Sequence, residues 1–358
     1  MLRWKLSLPA MALFIAAIMG KAHAVDVMEH AQQAYQAGDY RVAFQRYNEA
    51  AQKGNARACF QLGKMWAQGE GVDVDPKKAV EWYRRSADKG FIFAEYNLGV
   101  LYYHGRGVER DAEKASAWYR KAAKKGYAVA QTNLGAMLYL GDGIAPNPQE
   151  AVKWFRLAAQ QGYAEAQGNL GSAYDNGRGV DRDPAQAAKW FRRAAEQGHP
   201  ASFFHLGLAY QHGRGVQADP AKALKWYTRA ADTGHSNGQL NLGLLYFNGL
   251  GTSQDYTQAM KWFRRAADQD NAAAANHLGT IYDHGLGVAA SPVEAVKWYR
   301  FAATMGLAQA QYNLGVMLES GRGVTQSKRE AHKWFGLAAK QGFALARDKL
   351  KAIASGSE

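Results

Sequence analysis

The chain has 358 residues and one cysteine, Cys59, so no intramolecular disulfide can form and packing alone must hold the fold. After residue 24 no apolar run approaches the roughly 18 residues of a membrane-spanning helix, which excludes a protein spanning a bilayer in that way. No Gly-x-x-x-x-Gly-Lys-Ser/Thr follows any of the paired glycines, so they do not read as phosphate loops. His205 and His212 stand seven residues apart, as do His277 and His284. Two helical turns separate such pairs by about 10 Å, too far to share one ion. The acidic residues fall in recurring columns or at helix starts, and no Ser, His and Asp set stands apart from them. The chain therefore reads as a non-enzyme, with no catalytic residues, no metal site and no cofactor.

What it has is repetition. The glycine of a Leu-Gly pair falls at Gly63, Gly99, Gly135, Gly171, Gly207, Gly243, Gly279 and Gly315, and a tryptophan at Trp82, Trp118, Trp154, Trp190, Trp226, Trp262, Trp298 and Trp334, each step being 36 residues. Eight copies in register mean one structural unit stacked many times. In residues 94–126 the spacing predicts a first helix over 94–103 and a second over 111–125. In the second, Ala115, Trp118, Tyr119, Ala122 and Ala123 form a buried stripe. Glycine in a helix interior costs about 1 kcal/mol relative to alanine, so its recurrence at Gly99 and its counterparts points to close approach of the paired helix. Gly105-Arg106-Gly107-Val108 and its counterparts supply left-handed helix ends, and Asp75-Pro76, Asp183-Pro184, Asp219-Pro220 and Ser291-Pro292 start the next helices.

The two ends depart from this unit. Arg3 and Lys5, an apolar run over 6–19 and Ala22-His23-Ala24 form a signal peptide over 1–24, which predicts export to the periplasm or beyond. Cys59 lies well past that cleavage point, leaving no thiol at the new terminus for a lipid anchor. Residues 25–54 read as an N-terminal helical hairpin turning at Gly38-Asp39, similar to a tetratricopeptide unit, with Arg46 in the tryptophan column. The main array covers 55–342. Residues 343–358 begin like another first helix but place Lys351 in the glycine column, as a C-terminal capping helix and tail would. The net charge is +13, and without Arg3, Lys5 and Lys21 the count is 41 basic against 31 acidic residues, so acidic glycans or lipid head groups are conceivable ligands and nucleic acid is not expected outside the cytoplasm.

The unit A-x-x-Asn-Leu-Gly-x-x-Tyr-x-x-Gly-x-Gly-Val followed by Lys-Ala-x-x-Trp-Tyr-x-x-Ala-Ala resembles the Sel-1-like repeat family. The resemblance implies an all-α fold: an α/α solenoid, a right-handed superhelix of about eight 36-residue helix-turn-helix repeats with capping helices at both ends, its first helices lining a concave groove. It also implies a scaffold or adaptor in protein complexes, exported members being linked to envelope signalling, secretion and host contact. The departures are Thr252 for Val, Asp270 for the closing Gly, and Gly336 for the Arg after Trp-Phe.

Comparing copies separates fixed columns from drifting ones. On the first helices the drifting columns hold Tyr96, Tyr103, Tyr139, Phe204, Leu208, Leu240, Leu244, Phe247 and Tyr312, interrupted by Asp175, Asp283 and Glu319. By likeness to tetratricopeptide arrays these face the groove and would receive a protein or extended peptide. On the second helices Lys153, Lys189, Arg193, Lys225, Lys261, Arg265 and Lys297 form a basic outer ladder, the surface on which an acidic glycan or lipid head group would bind instead.

Overall fold

The computed structural model describes residues 27–355, and no strand occurs among them. The expected signal peptide, 1–24, lies outside the described residues. The chain forms two compact units, one ending at Arg182 and the other starting at Asp183. The first holds α1 (27–36), α2 (Tyr40–Gln52), α3 (Ala56–Gln68), α4 (Pro76–Ala87), α5 (Ile92–His104), α6 (Ala112–Lys124), α7 (Ala128–Leu140), α8 (Pro148–Gln160) and α9 (Ala164–Asn176). The second holds α10 (Pro184–Glu196), α11 (Pro200–His212), α12 (Pro220–Asp232), α13 (Ser236–Asn248), α14 (Tyr256–Ala267), α15 (Ala272–His284), α16 (Pro292–Thr304), α17 (Ala308–Ser320), α18 (Lys328–Lys340) and α19 (Ala344–Ala354). From α2 to α9, and again from α10 to α19, each helix packs on the next in sequence, so each unit is an α-solenoid segment.

Local chemistry sets the boundaries. Asp75, Asp111, Asp219 and Asp255 accept hydrogen bonds from the first-turn amides of α4, α6, α12 and α14, supplying partners for otherwise orphaned donors. Gly105 ends α5 at φ +69°, a conformation a Cβ would disfavour. The second glycine of that loop, Gly107, comes so close to α4 that a Cβ on it would stand 2.2 Å from the Pro76 carbonyl oxygen. Asp270, in place of the closing glycine, is the non-glycine residue with positive φ among those described, at +60°; the same turn is made without glycine.

The glycine column proves to be a seat for an aromatic ring. A Cβ on Gly99 would lie 2.5 Å from Tyr119 Cδ1, and one on Gly243 2.6 Å from Phe263 Cε1. It is the ring beside the tryptophan that fills the core: Tyr119 is buried, whereas Trp118 is only half-buried with Lys121 Nζ 3.7 Å over its ring. Polar pairs then join successive hairpins. Arg84 donates to the Tyr102 hydroxyl at 2.6 Å, as Arg192 does to Tyr210 at 2.8 Å. Where the tyrosine is replaced by Leu138 or Leu318, the arginines turn instead to acids, Arg120 to Glu150 and Arg300 to Glu330.

Candidate functional site

All nine predicted groove residues are half-buried, and most have packing of their own. Tyr96 lies between Tyr119 and Tyr127, with ring centroids at 5.7 and 5.2 Å. Phe204 stacks on His235 at 4.7 Å, Tyr312 sits between Phe335 and Phe343, and Leu240, Leu244 and Phe247 pack against the core of the C-terminal unit. Leu208 is half-buried on α11. These side chains thus fill the seams between hairpins while keeping part of their surface open. His205 and His277 stack on Phe191 and Phe263 at 4.5 and 5.0 Å, and among the described residues no group of three metal-ligating side chains converges.

Three of the drifting positions are paired. At three hairpins the end of the first helix meets the middle residue of the Gly-x-Gly loop one hairpin later. Tyr103 donates its hydroxyl to Asp142; Tyr139 lies under the Arg178 guanidinium at 4.7 Å; Asp283 takes Arg322 at 2.6 Å. Glu319 is likewise paired, with Lys349 at 2.9 Å. Of the acidic interruptions, Asp283 and Glu319 are therefore neutralised within the chain.

This face carries a hollow. A pocket of about 260 Å³ opens between α5 and α7, walled by Tyr96, Tyr103, Tyr119 and Met137. Val100, His104, Ala136 and Asn133 complete its wall, with Leu140 and Asp142 at the α7 end, Leu140 being 68 % exposed. The hydrogen bond to Asp142, and then burial, hold the Tyr103 phenol above its usual pKa; burial does the same for Tyr96. Tyr96 and Tyr103 were legible as a pair from the helical columns. Leu140 and Asp142 were not named, although Asp142 inverts the charge found at Arg106, Arg178, Arg214 and Arg322, and that inversion was a signal.

The ladder residues Lys153, Lys189, Arg193, Lys225, Lys261, Arg265 and Lys297 are all exposed. Arg193 and Arg265 lie 4.7 and 4.6 Å from the Trp190 and Trp262 rings, and Lys297 pairs with Glu294. Glu196, Asp232 and Asp268 are exposed on the same helices or at their ends, so this face carries both signs of charge.

The Sel1 repeat family profile matches residues 56–91, 92–127, 128–163, 164–199, 204–235, 236–271, 272–307 and 308–343. Among solved structures, c5321, a protective antigen of uropathogenic Escherichia coli strains displaying an SLR fold, is 40 % identical over 87 % of this chain and 67 % of its own, with a TM-score of 0.80. A Sel1 repeat protein from Oxalobacter formigenes is 32 % identical over 86 % of this chain and 89 % of its own, with a TM-score of 0.68. No curated protein sequence matches. With the repeats matched over most of its length and relatives of this identity sharing its fold, the chain belongs to the Sel1 repeat family.

Proposed function

We propose that this protein is an exported, non-enzymatic scaffold that holds a protein or an extended peptide against its first-helix face. Sel1 repeats commonly serve as protein-interaction scaffolds, and the family assignment supports that class of role. The observation that carries the reading is the aromatic pocket between α5 and α7, open beside the exposed Leu140. Rigid half-buried rings around such a hollow are the anchors that dominate binding energy at interfaces. The outer face favours the alternative, an acidic glycan or lipid head group, less well, because its arginines are stacked on tryptophans and acids stand among its lysines. Export rests on the amino-terminal pattern Arg3, Lys5, apolar run and Ala22-His23-Ala24.

Calorimetry with a partner captured from an envelope extract, at two salt concentrations, tests the reading. Tyr103→Ala and Phe247→Ala should each weaken binding by about 1–2 kcal/mol at both salts. Joint replacement of Lys189, Arg193 and Lys225 by Ala should change the salt dependence more than the affinity. Normal binding by the groove variants together with loss in the triple variant would make this a polyanion binder.

A further inference from the structure

The pocket at Tyr103 and Asp142 stands out once the same register is followed along the chain, because in two other registers the chain places a cation of its own there. In the first Gly-x-Gly loop the middle residue is Glu70, which accepts the Tyr35 hydroxyl at 2.7 Å, much as Asp142 accepts that of Tyr103. There Lys64 reaches across: its Nζ donates to the Tyr35 hydroxyl at 2.7 Å and lies 4.8 Å from the Tyr35 ring centroid. Lys64 stands two repeats before Ala136, and Ala136 lines the pocket. The C-terminal unit has a second precedent. Met317 is the counterpart of Met137, and there Arg322 places its guanidinium 3.3 Å from the Met317 sulfur and 2.6 Å from Asp283.

Where the chain supplies Lys64 in one register and Arg322 in another, at Asp142 it supplies alanine and leaves a hollow of about 260 Å³. The chain's own cation here, Arg110, stays at the solvent edge: it binds the Tyr103 carbonyl through Nε at 3.2 Å, makes a long ion pair with Asp142 at 3.7 Å and lies 5.9 Å from the Tyr103 ring centroid, its side chain 63 % exposed. We infer that this pocket receives a basic side chain, arginine or lysine, of the bound partner, its stem against Met137 and the tyrosine rings and its charge at Asp142. Charge complementarity to the carboxylate and cation–π attraction to the rings together select a cation over an apolar chain of equal length. The inference rests on the groove reading and names the chemistry of one subsite within it.

The test uses the full chain with ¹³C-methyl methionine and blocked pentapeptides Gly-Gly-Xaa-Gly-Gly in which Xaa is Arg, Lys, norleucine or Glu. The Met137 methyl resonance should move with the Arg and Lys peptides and bind norleucine roughly tenfold more weakly, the effect of one charge-assisted contact. Asp142→Asn, which keeps an acceptor for Tyr103, should weaken the Arg peptide by a similar factor. Ala136→Lys, which copies Lys64, should fill the pocket and abolish the shift. Equal affinity for norleucine, indifference to Asp142→Asn, or a Met137 methyl unmoved at millimolar peptide overturns the inference. Those results leave the groove reading to be judged separately, by where the natural partner binds.

Discussion

Asp283 shows how one residue is tied to another a repeat away. Its side chain is 7 % exposed and its carboxylate is held by Arg322, itself 48 % exposed. Removing the guanidinium leaves a nearly buried charge without its partner, so Arg322→Leu should destabilise the C-terminal unit by about 2 kcal/mol, after allowing for the exposure of the arginine. Asp283→Tyr with Arg322→Asp rebuilds the Tyr103–Asp142 pair and should recover most of that loss. A double-mutant cycle measures the coupling, and strictly additive effects would mean that the residues drift independently. The histidines give a second residue-scale prediction. Burial lowers the pKa of His277 and of His235 from 6.5, and His235 also caps α13 by accepting the Gly238 amide at 3.0 Å. Both are favoured neutral in the folded state. Their contribution is complete above 6.5 and is lost as the pH falls below that value toward their folded pKa values. Urea melts at about pH 7.5 and about pH 5.5 should show the loss, and His277→Asn, matching Asn97 and Asn313 in the same column, should shrink it.

Within the helices, the same substitution should act with opposite sign at two glycines. A Cβ on Gly207 of α11 would stand 2.4 Å from Tyr227 ring atoms, so Gly207→Ala forces the ring or the helix aside and should destabilise by about 1–3 kcal/mol. Gly336, inside α18, has nothing within 4 Å of its would-be Cβ, and Gly336→Ala should stabilise by about 0.5–1 kcal/mol through helix propensity. Equal shifts in the two denaturation midpoints would contradict the ring-seat account. The glycine column itself was legible from periodicity. Which ring sits on it was not, because Trp118 and Tyr119 are adjacent and share one side of the helix at low angular resolution. Only contact geometry separates the buried tyrosine from the half-buried, cation-covered tryptophan.

Across the whole chain the basic excess is uneven: residues 183–355 hold 20 basic against 12 acidic side chains, and residues 27–182 hold 21 against 17. A polyanion, if bound, would be drawn to the C-terminal unit, whereas the aromatic pocket lies in the N-terminal one. The repeat architecture was readable because its period leaves landmarks in every copy. The site was half readable: Tyr96 and Tyr103 stand in helical columns, but Asp142 sits in a loop whose glycines explained it as a turn, and its partner is a repeat away in sequence. The most direct measurement of the central claim is photo-cross-linking in an envelope extract from a benzophenone side chain placed at Val100 or Leu140, against one at Lys153 or Lys189. The account predicts a discrete, salt-resistant adduct from Val100 and Leu140 and none from the lysine positions; adducts from Lys153 and Lys189 alone, fading as salt rises, would contradict it.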